Sequence, residues 1–228
     1  MRKQTLFLTL LLLAHPLLAA DSHPARTFFP DFYSDPKQIW TFPVQEQTWK
    51  NPHVWLVLGL STASFSLDGR PAERLREDDS FRDFNEAFTS SAADIVVAVA
   101  PLALLAIGEI SRDQDFRSYG WKSGEAALDG FLVVTIAKAA TQRARPHEGK
   151  PCGFWEGGNS FPSGHATVVW AVAATTASHF GRHRWVPWVV YPLAGLISFS
   201  RVSSGNHFPS DVVFGSVIGF AIGRHVVQ

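Results

Sequence analysis

The apolar residues of this chain are grouped in long runs and do not alternate with polar residues. No stretch shows sustained alternation with a period of two, which is the pattern of a half-buried β-strand. The runs that follow residue 90 are also longer than ordinary strands. We therefore predict an all-α fold, a bundle of about five to six helices.

The ends of the apolar runs locate the helices. A first, short helix is predicted over residues 54–67, because Asp68 and Gly69 follow it as breakers. Longer helices are predicted over 92–110 and 120–144. Three further helices are predicted over 162–180, 185–200 and 209–227.

The first 20 residues have the pattern of a secretory signal. Arg2 and Lys3 precede an apolar run that ends in small residues, and this order is typical of exported proteins. Leu18 is imperfect for cleavage after residue 20, so an uncleaved anchor remains an alternative.

Two other segments are predicted to lie outside the helical core. Prolines and aromatic residues are interspersed over residues 21–50, which predicts an irregular segment pinned by its aromatic side chains. Charges of both signs fill residues 70–86, which predicts a solvated linker or a short exposed helix. The helical domain is assigned to 51–228, and its most informative part is 90–227.

Composition and charge exclude several classes of partner. Lys+Arg and Asp+Glu are both 20, so the net charge is zero and gives no support to a nucleic-acid partner. Cys152 is the single cysteine, which excludes a disulfide within the chain. Cysteine and histidine do not have the spacing of a zinc site. We expect no metal cofactor, and no protein partner can be inferred.

Three cations in the second half of the chain suggest a phosphate site. Lys138 is followed seven residues later by Arg145, and Arg201 lies further along. Seven residues make two helical turns, so the spacing predicts that Lys138 and Arg145 project from one helix face. Three cations can neutralise a phosphoryl dianion and hold its oxygens through a transition state without a metal.

The Pro-Ser-Gly-His segment at 162–165 adds hydrogen-bond donors. Ser163 is predicted to cap the helix that starts here, so that the free amides of the first turn, with Gly164, point toward a bound anion. The alternative is that Ser163 only caps the helix and Gly164 only permits close packing. His165 follows at once as a candidate proton donor.

His207 and Asp211 form the candidate nucleophilic pair. They lie four residues apart, and Pro209 predicts that the helix begins only there, with His207 just outside it. An aspartate that accepts a hydrogen bond from one ring N–H leaves the other nitrogen to attack phosphorus. His207 is therefore the predicted nucleophile.

These motifs together resemble a known superfamily. Lys138 with Arg145-Pro146, the segment 162–165, and Ser200-Arg201 with His207 and Asp211 occur in the order found in type 2 phosphatidic acid phosphatases, bacterial class A acid phosphatases and vanadium haloperoxidases. The resemblance implies that His207 forms a phosphohistidine, or carries vanadate in the haloperoxidases, and that Asp211 orients it. It also implies that His165 protonates the leaving alcohol and then activates the hydrolytic water.

The resemblance implies a metal-independent phosphatase of lipid phosphate monoesters or diphosphates. Phosphatidate, phosphatidylglycerophosphate, a polyprenyl diphosphate and lipid A are the candidate substrates. A soluble periplasmic acid phosphatase of broad specificity is the main alternative. A vanadium haloperoxidase and an inactive membrane scaffold are the others.

The sequence leaves the relation to the membrane open. A mean hydropathy of +0.04 is low for a protein of many spans and favours a soluble periplasmic enzyme. The predicted helices from residues 92, 166 and 186 are nearly free of charge, which favours a bundle of five spans or one that is shallowly embedded in the membrane. Basic loops prefer the cytoplasm, so the site is predicted to face the periplasm from an inner membrane. The basic residues at the helix ends away from the motifs are Arg112, Arg117, Lys122, Arg182, Arg184 and Arg224.

Other polar residues near the motifs receive weaker assignments. Ser200 is predicted to support the backbone near Arg201, and Asn206 has no assigned role. Four residues between the first two motifs could shape the substrate entrance: His147, Glu148, Trp155 and Glu156. Three histidines near helix ends are predicted to be structural or surface residues: His179, His183 and His225.

Overall fold

Every regular element in the described part of the chain is a helix. The computed structural model describes residues 41, 46–69, 73–75, 78–89, 91–110, 113–148 and 153–227. The predicted signal at 1–20 and most of the segment 21–50 lie outside the described residues.

Eight α-helices are described, and no strand occurs among the described residues, so the all-α prediction is confirmed. The helices are α1 Glu46–Lys50, α2 Pro52–Ala63, α3 Arg82–Thr89, α4 Ser91–Ile110, α5 Gln114–Thr141, α6 Gly164–His179, α7 Val186–Ser203 and α8 Pro209–His225. Short 3-10 turns occupy Ser64–Leu67, Asp79–Phe81 and Pro146–Glu148. Within the described residues no helix has both the length and the apolar character needed to cross a membrane, so the five expected spans are not found there.

Local capping explains where several helices begin. The carboxylate of Asp113 accepts hydrogen bonds from the first amides of α5, at 2.9 and 3.1 Å. The Asn51 side chain does the same for α2, which has Pro52 at its first position. Pro209 occupies the first position of α8, so the prediction that His207 stands just outside this helix is confirmed.

Helices α1 and α3 lie at the ends of two regions predicted to be irregular or solvated. In the segment 21–50, residues 46–50 form α1, and the rings of Trp49 and Trp55 lie 5.3 Å apart. In the predicted linker 70–86, α3 begins at Arg82 and packs on α7. The short helix α3 agrees with one of the two alternatives given for residues 70–86, since Arg82 and Asp83 are exposed. The irregular structure predicted for 21–50 is not found at residues 46–50, and it stays a prediction for the rest of that segment.

The contact between α3 and α7 is aromatic and polar. The rings of Phe81 and Phe84 lie 5.4 and 5.8 Å from that of Phe199. The Ser203 hydroxyl donates to the Asn85 side chain at 2.5 Å. The segment before the bundle is therefore attached to the helix that carries Arg201.

Helix α6 occupies the centre of the bundle, in contact with α5, α7 and α8. Ala166 packs with Val202 and Val212, and Ala171 packs with Ala126 and Ile222. Small alanine side chains at these contacts let the neighbouring helices approach α6 closely. The four helices that carry the sequence motifs, α5 to α8, therefore meet around α6.

Glycines on α8 bring its backbone against α6. A Cβ atom at Gly219 would lie 2.1 Å from the Thr167 carbonyl oxygen, and one at Gly223 would lie 2.1 Å from that of Ala171. Gly215 repeats this contact at Ser163, at 2.6 Å. These glycines have the four-residue spacing that marks close helix packing, and they hold the amino-terminal ends of α6 and α8 side by side.

A pair of glycine variants tests this contact. We expect Gly219→Ala to lower the free energy of unfolding by about 1–3 kcal/mol, because the added methyl group overpacks the interface with α6. Gly195→Ala is the control, since no atom lies within 4 Å of a Cβ there. It should raise stability by about 0.5–1 kcal/mol through helix propensity. Denaturant unfolding measures both, and equal stabilities would contradict the assignment.

Candidate active site

The structure brings the residues of the three motifs to one end of the bundle. The amide of Ser163, just before α6, donates to the Asp211 carbonyl oxygen at 2.9 Å. The amide of His207 donates to the Arg201 carbonyl oxygen at 2.9 Å. The first turns of α6 and α8 and the end of α7 are therefore joined through their main chains.

The His207 side chain is buried beside Asp211, with a serine between them. His207 Nδ1 lies 3.6 Å from Asp211 Oδ2, which is longer than a hydrogen bond. The Ser160 hydroxyl donates to the same carboxylate oxygen at 2.5 Å and lies 3.4 Å from Nδ1. His207 and Asp211 are thus close in space. Ser160 contacts both of them and is a site residue that the sequence reasoning missed. Because Nδ1 faces these groups, Nε2 is the nitrogen left for attack.

The environment favours a neutral histidine and an ionised aspartate. Burial lowers the pKa of His207 to about 4, and the charges of Lys138 and Arg145 act in the same direction against the opposing effect of Asp211. Burial alone would raise the pKa of Asp211, but the proximity of His207 and the charge of Arg143 hold it below its usual value. At neutral pH an uncharged imidazole therefore faces a carboxylate.

Lys138 and Arg145 meet at Asn159 and do not share a helix face. Helix α5 ends at Thr141, because Gln142 adopts a left-handed conformation with φ 45°. The helix predicted to reach residue 144 stops short, so the prediction of one helix face is wrong. The Lys138 ammonium donates to the Asn159 carbonyl oxygen, and Arg145 Nε donates to its side-chain oxygen at 2.8 Å.

The charge of Lys138 is sensitive to its neighbours. Burial and the positive charges of Arg145 and Arg201 together lower the pKa of Lys138 to about 8, against the opposing effect of Asp211. Three cations therefore lie close enough to repel one another. A bound anion would relieve this repulsion.

Residues 153–160 form a strap across the end of α5. The Trp155 amide donates to the carbonyl oxygen of Thr141, the last residue of the helix, at 2.8 Å. The amides of Glu156 and Gly158 donate to the carbonyl oxygen of Gln142 at 2.9 and 3.0 Å. The Ser160 amide continues this with a 2.8 Å bond to the Arg143 carbonyl oxygen. The strap thus satisfies the helix end and sets Asn159 and Ser160 at the site.

Trp155 is the exposed member of the strap. It has a φ of 63°, which is uncommon for a bulky residue, and its indole nitrogen donates to the Ala140 carbonyl oxygen at 3.1 Å. Its ring is 77% exposed. An apolar surface therefore stands near the cations.

Ser163 occupies the cap position of α6 but does not cap it. Its hydroxyl has no hydrogen-bond partner although the residue is 0% exposed. The capping prediction is wrong, and the hydroxyl remains available to an anion. A Cβ atom at Gly164 would make only an ordinary 3.6 Å contact with Val134, so packing does not require glycine there.

The remaining candidates have mainly structural contacts. The Ser200 hydroxyl donates to the Ile197 carbonyl oxygen at 2.7 Å, as expected of a backbone support. Asn206 donates to the Ser204 hydroxyl at 2.7 Å, and His147 lies 3.3 Å from the Gly205 carbonyl oxygen. His179 lies 3.2 Å from the Asp115 carboxylate, at the opposite end of α6, which confirms its structural assignment.

Arg143 is a further residue that the sequence reasoning missed. Its guanidinium is buried and donates to Asp211 Oδ1 at 2.6 Å. It lies two residues before Arg145, in a polar stretch where an exposed side chain would be the usual expectation. The arrangement as a whole places a neutral imidazole, an unpartnered hydroxyl and three cations around one helix start, which suits attack on a phosphoryl group.

Comparison with known proteins agrees with this chemistry. Residues 120–228 match the model of the PAP2 superfamily, which confirms the superfamily predicted from the motifs. Lipid A 1-phosphatase of Rhizobium etli is 34% identical over 97 residues, or 39% of this chain and 40% of that protein. Undecaprenyl-diphosphatase of Sulfolobus acidocaldarius is 38% identical over 69 residues, or 30% of this chain and 32% of that protein.

The matched segments are short relative to these proteins. Lipid A 1-phosphatase of Porphyromonas gingivalis is 28% identical over 116 residues, which are 47% of this chain and 26% of that protein. The chain thus spans between 26% and 40% of the length of these three relatives. Among solved structures, a transmembrane PAP2 type phosphatidylglycerolphosphate phosphatase from Bacillus subtilis aligns with a TM-score of 0.44 and 21% identity, over 88% of this chain and 92% of that one.

The unpartnered Ser163 hydroxyl leads to a stability test. We expect Ser163→Ala to leave the free energy of unfolding unchanged or slightly higher, because it removes a buried hydroxyl that bonds to nothing. Asp113→Ala, at a position that does cap a helix, should cost about 1 kcal/mol. Chemical denaturation compares the two variants. A loss in Ser163→Ala as large as that in Asp113→Ala would show that Ser163 caps α6.

Proposed function

Residues 120–228 of this chain belong to the PAP2 superfamily, and from that membership we propose a metal-independent phosphatase that hydrolyses lipid phosphates through a phosphohistidine on His207. The observation that carries the proposal is a buried, neutral His207 beside an ionised Asp211, close to three cations. A neutral imidazole is the nucleophilic form of histidine. The adjacent carboxylate stabilises the positive charge that the ring acquires as it attacks.

In the first step the phosphoryl group is held at the start of α6. Lys138, Arg145 and Arg201 neutralise its oxygens, and the Ser163 hydroxyl and the first amides of the helix donate to them. His207 Nε2 forms a bond to phosphorus as the bond from phosphorus to the leaving oxygen breaks. His165 gives its proton to that oxygen, so the alcohol or phosphate departs protonated.

In the second step water releases the phosphate. His165, now neutral, takes a proton from a water molecule, and the water oxygen bonds to phosphorus. The bond between phosphorus and Nε2 breaks and returns its electron pair to the ring. His207 is neutral again, His165 is protonated again, and inorganic phosphate leaves.

The surface of the protein supports a lipid substrate. Large apolar side chains are exposed on α2 and α7, including Leu60 at 63% and Trp188 at 80%. Exposed aromatic and apolar residues are typical of contact with a membrane interface. The relatives named above act on lipid A or undecaprenyl diphosphate, and lipids of this class, with phosphatidate and phosphatidylglycerophosphate, are the proposed substrates. We place the protein at a bacterial inner membrane with the site facing the periplasm.

Phosphate release by the purified protein tests the proposal. The protein is assayed in detergent with EDTA against phosphatidate, phosphatidylglycerophosphate, undecaprenyl diphosphate, lipid A and nitrophenyl phosphate. We expect strong activity on one lipid, lost in His207→Ala because no nucleophile remains, and kept in His183→Ala, which alters an exposed histidine. Activity mainly on nitrophenyl phosphate would favour a broad-specificity acid phosphatase. Normal activity in His207→Ala would refute the nucleophile assignment.

The pH dependence of kcat/KM offers a separate test. His207 must be neutral to attack, so activity should rise as pH increases through about 4. Activity should fall again at higher pH, because His165 must be protonated to act as the acid and Lys138 must be charged to hold phosphate; the loss of the Lys138 proton contributes a fall through about 8. Lys138→Arg should remove the part of the alkaline limb near pH 8, because arginine stays charged at that pH, and leave the acidic limb in place. An alkaline limb that does not move in this variant would rule out Lys138 as its source.

A further inference from the structure

A buried aspartate from the first third of the chain reaches the back of the site. Asp68 follows the turn Ser64–Leu67, lies outside the matched residues 120–228, and is 4% exposed. Its Oδ1 accepts the Ser210 amide at 2.9 Å, and its Oδ2 accepts the Ser210 hydroxyl at 2.6 Å. Ser210 is the residue directly before Asp211, so Asp68 contacts the first turn of the helix that carries the orienting carboxylate.

Arg143 joins Asp68 to Asp211. One terminal nitrogen of its guanidinium donates to Asp68 Oδ2 at 2.6 Å, and the other donates to Asp211 Oδ1 at 2.6 Å. The guanidinium also lies 4.3 Å from the ring centre of Phe208 and 5.0 Å from that of Phe154. Two charged partners and two aromatic faces leave this side chain little freedom to move.

We propose that Asp68 is a positioning residue for the nucleophile, acting through Arg143 and Asp211 on His207. This inference rests on the proposed phosphatase function. Asp68 does not touch substrate. It competes with Asp211 for the Arg143 guanidinium and fixes the backbone at the start of α8.

The charge balance explains why a second carboxylate matters. If Arg143 paired with Asp211 alone, the guanidinium would neutralise the carboxylate that must stabilise a charged His207 ring. With Asp68 present, two carboxylates share one guanidinium, and the buried group keeps a net negative charge. Part of that charge is directed at His207, whose positive charge develops as the bond to phosphorus forms.

Geometry acts in the same direction. Ser160 and the Phe208 amide both donate to Asp211 Oδ2, at 2.5 and 2.9 Å, while Arg143 holds Oδ1. The carboxylate is therefore held at both oxygens, and Asp68 anchors the Arg143 side of this arrangement. A small displacement of Asp211 would turn the His207 ring away from its line of attack.

Asp68→Asn is the variant that tests the inference. Asparagine has nearly the same shape and can still accept the Ser210 amide, but it carries no charge. We expect kcat to fall by about 10- to 100-fold, the loss typical of a group that orients another. KM should change by less than about twofold, because Asp68 acts on the nucleophile and not on the substrate, so uniform binding is untouched. Asp113→Asn, a remote helix cap with the same chemical change, should leave both constants unchanged.

A double-mutant cycle separates positioning from folding. If Asp68 acts through Asp211, then Asp68→Asn should have little further effect on kcat in the Asp211→Asn background. If Asp68 only docks the amino-terminal segment, the two losses should multiply, and that result would overturn the inference. An unchanged kcat in Asp68→Asn alone would overturn it as well.

Two additional measurements keep the test decisive. Should Asp68→Asn fail to fold, Arg143→Lys replaces it, since a single ammonium cannot hold both carboxylates in the same geometry and should give the same fall in kcat. The wild-type protein and His207→Ala are assayed alongside. A wild-type protein without activity would reject the proposed function, whereas activity lost in His207→Ala but kept in Asp68→Asn would reject only the role of Asp68.

Discussion

The site depends on how closely α6 and α8 approach each other. The proposed donors to the anion come from the start of α6, and the proposed nucleophilic pair comes from the start of α8. Helices with ordinary side chains between them have axes 8–10 Å apart. Glycines on α8 bring its backbone against the carbonyl oxygens of Thr167 and Ala171, which allows the Ser163 amide to reach the Asp211 carbonyl oxygen at 2.9 Å. Tight packing along the whole interface therefore sets the separation between the anion site and His207.

Burying charge beside this interface is the second constraint. An isolated guanidinium is costly to remove from water, and the cost is offset only when its donors are paired. Arg143 meets that requirement with the carboxylates of Asp68 and Asp211, one of which also serves the nucleophile. Breaking a buried pair of this kind typically costs about 3–5 kcal/mol. The same contacts thus stabilise the fold and define the position of His207.

The sequence was informative where local chemistry decides the structure. The apolar runs predicted the ends of α4, α6, α7 and α8 to within three residues, whereas α5 begins six residues before its predicted start. Pro209 correctly predicted that His207 precedes α8. The errors at the site arose where contacts between segments distant in sequence determine a helix end or the burial of a side chain. Helix α5 stops at Thr141, where the Trp155 amide of the strap pairs with the last carbonyl oxygen of the helix. No local pattern near residue 141 predicts this pairing with a residue 14 positions further on. Serine is a common residue at a helix cap, yet the Ser163 hydroxyl makes no hydrogen bond to the first turn of α6. Arg143 and Asp68 were missed because charged residues are normally exposed, and their burial depends on contacts 75 residues apart in sequence.

Stability and chemistry make different demands on the two sides of His207. On the Nδ1 side both oxygens of the Asp211 carboxylate accept hydrogen bonds, from Arg143, Ser160 and the Phe208 amide, and a carboxylate held in this way is rigid. On the substrate side the Ser163 hydroxyl has no partner, and burial, together with the charges of Arg145 and Arg201, lowers the pKa of Lys138. That second arrangement is unfavourable in the protein alone. It becomes favourable when a phosphoryl group accepts a hydrogen bond from the hydroxyl and its negative charge neutralises the cations. The rigid side keeps the proposed nucleophile in place. The binding energy between the cations and the phosphoryl group can therefore stabilise the charge that develops on that group in the transition state.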